Sequence, residues 1–189
     1  GGLAAGIVTD FEDRAGMSRG FYFCWNKVYR RAFVTAKGLT FPTGEYEDVY
    51  WSVLAIAQAN HILVSQTPFY GYRQIENSAV NRGGSQHRDI LDQYTAVLAQ
   101  LRAANIPEPF VQGVWMQATR HILFVLCGTN RLDRADRRIL FLQFMDHIRS
   151  GPGVGLFVRA SNISVLNKIL IVLRSPLLLE LRRLFVPQR

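Results

Sequence analysis

Phe41-Pro42-Thr43-Gly44-Glu45-Tyr46-Glu47-Asp48 sets an adjacent carboxylate pair between a loop and an apolar run. Val49, Val53 and Ile56, with Tyr50, Leu54 and Ala57 beside them, recur at helical spacing, so the stretch predicts a helix with Glu47 and Asp48 in its first turn. Acids there complement the positive end of the helix dipole. A helix N-terminus is also a rigid place from which to present a general base. Repulsion between neighbouring carboxylates can raise one pKa toward neutrality.

Two unusual clusters flank this stretch. Upstream is Cys24-Trp25-Asn26-Lys27-Val28-Tyr29-Arg30-Arg31. Phe21, Phe23 and Trp25 alternate with Tyr22 and Cys24, which predicts a buried strand around 20 to 25 running into a helix begun near Asn26, a good N-cap type. Downstream, Pro68-Phe69-Tyr70-Gly71-Tyr72-Arg73 predicts the end of a two-stranded element at 61 to 73, with Tyr70 and Tyr72 on one face and Gly71 and Arg73 on the other. Gly6-Ile7-Val8-Thr9-Asp10-Phe11-Glu12-Asp13 reads as a surface loop.

The three clusters, in this order, resemble the acceptor-side half of family 2 glycosyltransferases, where W-N-K-x-Y-R precedes F-x-x-G-x-x-E-D and then a Y-x-Y-R strand. The matching residues are Trp25, Asn26, Lys27, Tyr29 and Arg30, then Phe41, Gly44, Glu47 and Asp48, then Tyr70, Tyr72, Arg73 and Ser78. The resemblance covers roughly residues 20 to 80. It implies part of a GT-A domain, α/β by family and α-rich in this portion, followed by a helical C-terminal appendage. It implies transfer of a sugar from a nucleotide-sugar donor to an acceptor hydroxyl, with Asp48 as catalytic base and Glu47 positioning acceptor or loop. Arg73, beside Tyr72, would reach a diphosphate bidentately, as a planar guanidinium suits phosphate. The alternative is a surface arginine or one paired with Glu76. Trp25 would stack on a sugar, with Asn26 or Lys27 binding hydroxyl or phosphate; core packing for Trp25 and capping for Asn26 are the alternatives.

Intact members of that family open with a nucleotide-binding half ending in D-x-D, whose carboxylates hold a divalent metal. No D-x-D occurs in this chain, and the first residue is not Met. The expectation is a fragment, inactive alone, whose Mg or Mn ligands and donor site lie outside this chain. The expected setting is cytoplasmic, at the inner face of the membrane, with a glycan or lipid-linked acceptor in envelope polysaccharide or glycoconjugate synthesis.

Length and composition frame these readings. A chain of 189 residues, 49% hydrophobic, with mean hydropathy +0.05, is long enough to build a core and is not of disordered type. Cys24 and Cys127 form no C-x-x-C and sit in apolar runs, which predicts reduced, buried thiols. His61, His87, His121 and His147 lack zinc-ligand spacing, so no metal site is expected here.

The net charge of +8 is unevenly placed. Residues 1 to 81 hold seven basic and seven acidic side chains; residues 82 to 189 hold fifteen and seven. That split, with the loop-like stretch Asn77 to Gln86, divides an acceptor-side part of the catalytic domain, 1–81, from a helical, basic region, 82–189. The second part predicts a helix over 87 to 104 with Ile90, Tyr94, Val97, Leu98 and Leu101 on one face. A second opens at Pro107 and Pro109 and ends near Gly128; a third runs over 132 to 149, marked by Leu132, Ala135, Ile139 and Leu142. Ser161 to Val186 mixes apolar runs with Lys168, Arg174, Arg182 and Arg183. It is too interrupted to span a membrane; it either makes peripheral contact with an anionic surface or packs with its arginines solvated. Scattered arginines without an RNP, helix-turn-helix or basic-block pattern argue against a nucleic-acid partner, despite a pI near 10.0. The alternatives are a non-catalytic interaction domain derived from a transferase and, behind it, a basic helical nucleic-acid-binding module.

Overall fold

The structure is a computed structural model, and it describes residues 6–8, 10–17, 22–73, 83–128 and 131–151. Among these, 62% are helical and the only sheet has two strands. The elements are β1 (Gly6–Val8), α1 (Phe11–Met17), α2 (Arg31–Ala36), α3 (Glu47–Gln58), β2 (Ile62–Val64), a 3-10 turn (Ser85–Arg88), α4 (Asp89–Ala103), α5 (Glu108–Cys127) and α6 (Arg134–Ser150). The described residues fall into two compact units, one from 6–73 with 92–117 and one from 83–91 with 118–151. α4 beyond Leu91 and α5 up to Gln117 therefore group with the N-terminal residues.

In the first unit, β1 and β2 pair antiparallel, with Gly6 opposite Val64 and Val8 opposite Ile62. Asp10 then caps α1, its Oδ1 accepting from the Asp13 amide at 2.8 Å. The stretch expected to be a surface loop is thus a strand and a capped helix, because a distant segment supplies the strand's partner. α2 ends where Gly38 takes φ +59°, with Leu39 N–H donating to the Val34 carbonyl and Gly38 N–H to that of Thr35, the glycine-dependent helix stop. α4 ends in the same motif with Asn105 at φ 53°, and Pro107 prevents continuation. Val49, Val53, Tyr94, Val97, Leu98, Leu101, Phe110 and Val114 are buried, and each such aliphatic side chain contributes about 1.5–3 kcal/mol. At the far end of α3, the buried Arg14 guanidinium donates to the carbonyls of Ile56, Ala57 and Asn60 at 3.2 to 3.3 Å. A cation there satisfies carbonyls that the helix leaves without partners.

The strand expected over 20 to 25 does not form in its described part. Residues 22–30 are a turn and irregular chain, and helix begins at Arg31. Phe23 and Trp25 stack on each other with centroids 4.8 Å apart, and Lys27 Nζ donates to the Phe23 carbonyl. Asn26 caps no helix; Arg30 precedes α2 without a side-chain cap. Residues 65–73 are likewise irregular, so the Tyr70-Gly71-Tyr72-Arg73 strand is corrected to irregular chain, and β2 takes its partner from β1.

In the second unit, Asp133 caps α6 by accepting from the Asp136 amide at 2.8 Å, and Arg88 pairs with Asp136 at 3.3 Å. α6 buries Arg137, Leu140, Phe141, Phe144, His147 and Ile148. Of the residues that marked this helix in the sequence, Leu132 is buried just ahead of it, whereas Ala135, Ile139 and Leu142 are exposed. Arg137 disguised the buried stripe, since its guanidinium turns inward to the carbonyls of Leu126, Gly128 and Leu132 where α5 ends. No helix among the described residues is long and apolar enough to cross a membrane. The basic segment 161–186, the break after Gly151 and the loop 77–82 lie outside the described residues.

Candidate active site

Glu47 and Asp48 stand in the first turn of α3, as the apolar spacing predicts. The loop before them is fixed from three directions. Phe41 lies flat on Trp51 of α3, and Gln93 of α4 donates its amide to the Thr43 carbonyl at 2.8 Å. Gly44 takes φ +96° and Tyr46 φ 62°, a left-handed turn that reverses the chain into the helix; for Tyr46 this costs about 1–2 kcal/mol. The Val49 amide then donates to the Tyr46 carbonyl at 3.0 Å.

The upstream cluster packs on the same end of α3. Leu39, Trp51 and Ala55 form a buried patch against which Cys24, Tyr29, Phe33, Val34 and Leu54 are partly buried. Tyr29 meets Trp51 edge to face, centroids 5.7 Å apart. Neither cysteine forms a disulfide, and both are partly buried where full burial was expected.

This packing changes the titration of the group in the middle. Burial pushes the Asp48 carboxyl up to about 6, and the Glu47 charge pushes the same way; the Val49 amide and the Lys27 ammonium pull it down. Burial lowers Lys27 to about 8, against the raising effects of Cys24 and Asp48. Burial also pushes up the Cys24 thiol, with Asp48 adding to it, and the Tyr29 hydroxyl. Cys24, Lys27, Tyr29 and Asp48 thus share one electrostatic neighbourhood assembled from two segments.

A half-buried carboxylate is a stronger proton acceptor than a solvated one, because water no longer stabilises its charge. With a pKa of about 6 Asp48 is still ionised at neutral pH, which suits a general base. Lys27 is held by two contacts, to the Phe23 carbonyl and to Asn26 Oδ1 at 2.7 Å. Asn26 therefore positions Lys27 and does not start a helix.

Trp25 stacks on Tyr70 at 5.0 Å and on Tyr72 at 4.8 Å, joining the upstream and downstream clusters. Arg73, next to Tyr72 in sequence, is exposed. Ser78 and Glu76 lie outside the described residues. Sequence reasoning brought Asp48, Glu47, Trp25, Asn26, Lys27, Tyr72 and Arg73 forward for substrate or proton chemistry. It missed Cys24 and Tyr29 as neighbours of Asp48, and Phe41 and Trp51 as the clamp on its loop. The only hint was that Phe41 and Tyr29 recur in the quoted motifs.

Among the described residues no group of three or more His, Cys, Asp or Glu converges as a metal cage. Asp48 also has the Lys27 ammonium as neighbour, which competes with a divalent cation. The described residues do not fit a divalent-metal site. Compared with known proteins, the chain matches no protein-family model, no curated protein and no solved structure.

Proposed function

We propose that this chain is the acceptor-side part of a GT-A glycosyltransferase that moves a sugar from a nucleotide-sugar donor onto a hydroxyl of a glycan or lipid-linked acceptor. The observation that supports it most is the Asp48 carboxylate, held half-buried in the first turn of α3 with its pKa pushed up to about 6. In this reading the acceptor hydroxyl gives its proton to Asp48 as its oxygen bonds to the anomeric carbon. The nucleoside diphosphate leaves with the electron pair of the broken C–O bond. Glu47 raises the basicity of Asp48, and Lys27 tempers it.

Tyr72 is assigned to the acceptor, with Trp25 stacked behind it as support, and the exposed Arg73 to the diphosphate, where a planar fork of donors matches phosphate oxygens. The donor and its Mg or Mn are assigned to residues outside this chain, and the chain alone is expected to be inactive. Envelope polysaccharide or glycoconjugate synthesis at the inner face of the membrane is the setting that fits a lipid-linked acceptor and a basic C-terminal region.

The test uses the longest natural polypeptide carrying this chain, with labelled nucleotide sugars as donors. Asp48→Asn should abolish transfer while leaving donor binding, measured by calorimetry, nearly unchanged. Transfer at the wild-type rate in that variant removes Asp48 as the base.

A further inference from the structure

We propose that Phe69, Tyr70 and Tyr72 form a stacking platform that takes a glycan of two or more pyranose units on the unit that carries Asp48. The purpose of the platform rests on the transferase reading; its binding does not.

Phe69, Tyr70 and Tyr72 are 57%, 52% and 47% exposed, an unusual density of open rings for one short loop. Two of the three are not loose: Tyr70 and Tyr72 each stack on the half-buried Trp25. Rings held in advance lose less rotamer freedom when a ligand arrives. Between them Gly71 leaves the backbone open, since a Cβ there would meet nothing within 4 Å.

The chemistry of the strip selects the ligand. From Pro68 to Arg73 there is no Leu, Ile, Val or Met; the apolar surface is flat ring, and two of the rings carry a hydroxyl at the rim. The C–H face of a pyranose packs on such a ring face, whose quadrupole is negative, while the sugar hydroxyls reach the polar rim and water. An acyl chain gains nothing from ring flatness, and an aliphatic surface would serve it as well.

Length and place complete the case. Phe69 to Tyr72 spans at most roughly 10 Å of extended chain, the length of about two linked pyranose rings. Trp25, on which Tyr70 and Tyr72 stack, directly follows Cys24, and Cys24 packs against Trp51 and Ala55 of α3, the helix whose first turn carries Asp48. A chain lying on the rings would bring its terminal sugar toward Asp48 while its inner sugars supply affinity.

The full chain should be titrated with neutral hexose oligosaccharides of α and β linkage, from mono- to hexasaccharide, following tryptophan fluorescence. Affinity should rise about tenfold from mono- to trisaccharide for at least one linkage, then level off. Tyr70→Ala with Tyr72→Ala should remove most of that gain without changing the circular dichroism spectrum. Tyr70→Phe with Tyr72→Phe should keep it within about threefold, because the rings remain. Saturable binding to none of the saccharides, equal binding by the double alanine variant, or binding to zwitterionic phospholipid vesicles in place of saccharides overturns the platform. Length-dependent binding by the chain, with no sugar transfer by the longer polypeptide, sinks the transferase reading and leaves the platform standing. Transfer to acceptors of any length at one efficiency does the reverse.

Discussion

Phe41 lies face to face on Trp51, ring centroids 4.3 Å apart and planes 6° from parallel. One ring belongs to the loop before Glu47-Asp48 and the other to the first turns of α3, so the stack sets the angle at which the chain enters the helix. Phe41 is nevertheless 49% exposed, and its share of the contact is the shielding it gives Trp51.

Phe41→Ala should therefore cost about 1–2 kcal/mol, the aromatic pair plus half a ring's burial. Urea denaturation followed by circular dichroism checks it. An unchanged midpoint would mean that Gln93 and the left-handed turn at Tyr46 hold the loop unaided.

Asp48 should make stability depend on pH in a defined direction. Its folded pKa, about 6, lies above the ordinary 3.8, so the folded chain holds the extra proton between those values. The favourable contribution is full below about pH 4 and is lost as pH rises through 6. Asp48→Asn should match the wild type near pH 4 and exceed it above pH 7, by about 2 kcal/mol once partial solvent screening is discounted. Thermal melts across that range decide it; a variant less stable at pH 7 contradicts the desolvation.

Lys27→Met removes a positive charge that pulls the Asp48 carboxyl down. The Asp48 pKa should rise further above 6, and any activity of the longer polypeptide that depends on ionised Asp48 should lose its acidic limb at higher pH. Carboxyl carbon NMR titration reads the shift directly. A downward shift would show that the ammonium acts on some other group.

Arg14→Met should cost about 2–4 kcal/mol, because the Ile56, Ala57 and Asn60 carbonyls lose a charged donor at the buried end of α3. Arg14→Lys should recover little, since one ammonium cannot copy the fork of the guanidinium. Chemical denaturation of both variants suffices. Full recovery by lysine would place the stabilisation in charge alone.

Much of the local structure was legible in the chain. Ile90, Tyr94, Val97, Leu98 and Leu101 were read as one face of a helix, and all five are buried in α4. Glu47 and Asp48 were read as first-turn acids and occupy that turn. The misreadings share a cause, competition from a remote partner. Ile62–Val64 found its strand partner at Gly6–Val8, whereas residues 22–25 take a turn and irregular chain and form no strand among the described residues. The stripe on α6 was hidden because Arg137 looks like a surface residue until the open carbonyls at the end of α5 turn it inward.

By itself the sequence determined what depends on near neighbours: helix periodicity in α3 and α4, the existence of helices at α5 and α6, and the adjacency of two carboxylates. Only the tertiary structure decided which strands pair, which face of α6 is covered, that Trp25 meets Tyr70 and Tyr72, and that Asp48 sits half-desolvated near Lys27. Hydrogen bonding and capping within a helix act over a few residues, so the chain encodes them locally. Burial, stacking and the electric field at a carboxylate depend on segments far apart in sequence, and they take their values only when the chain has closed around them.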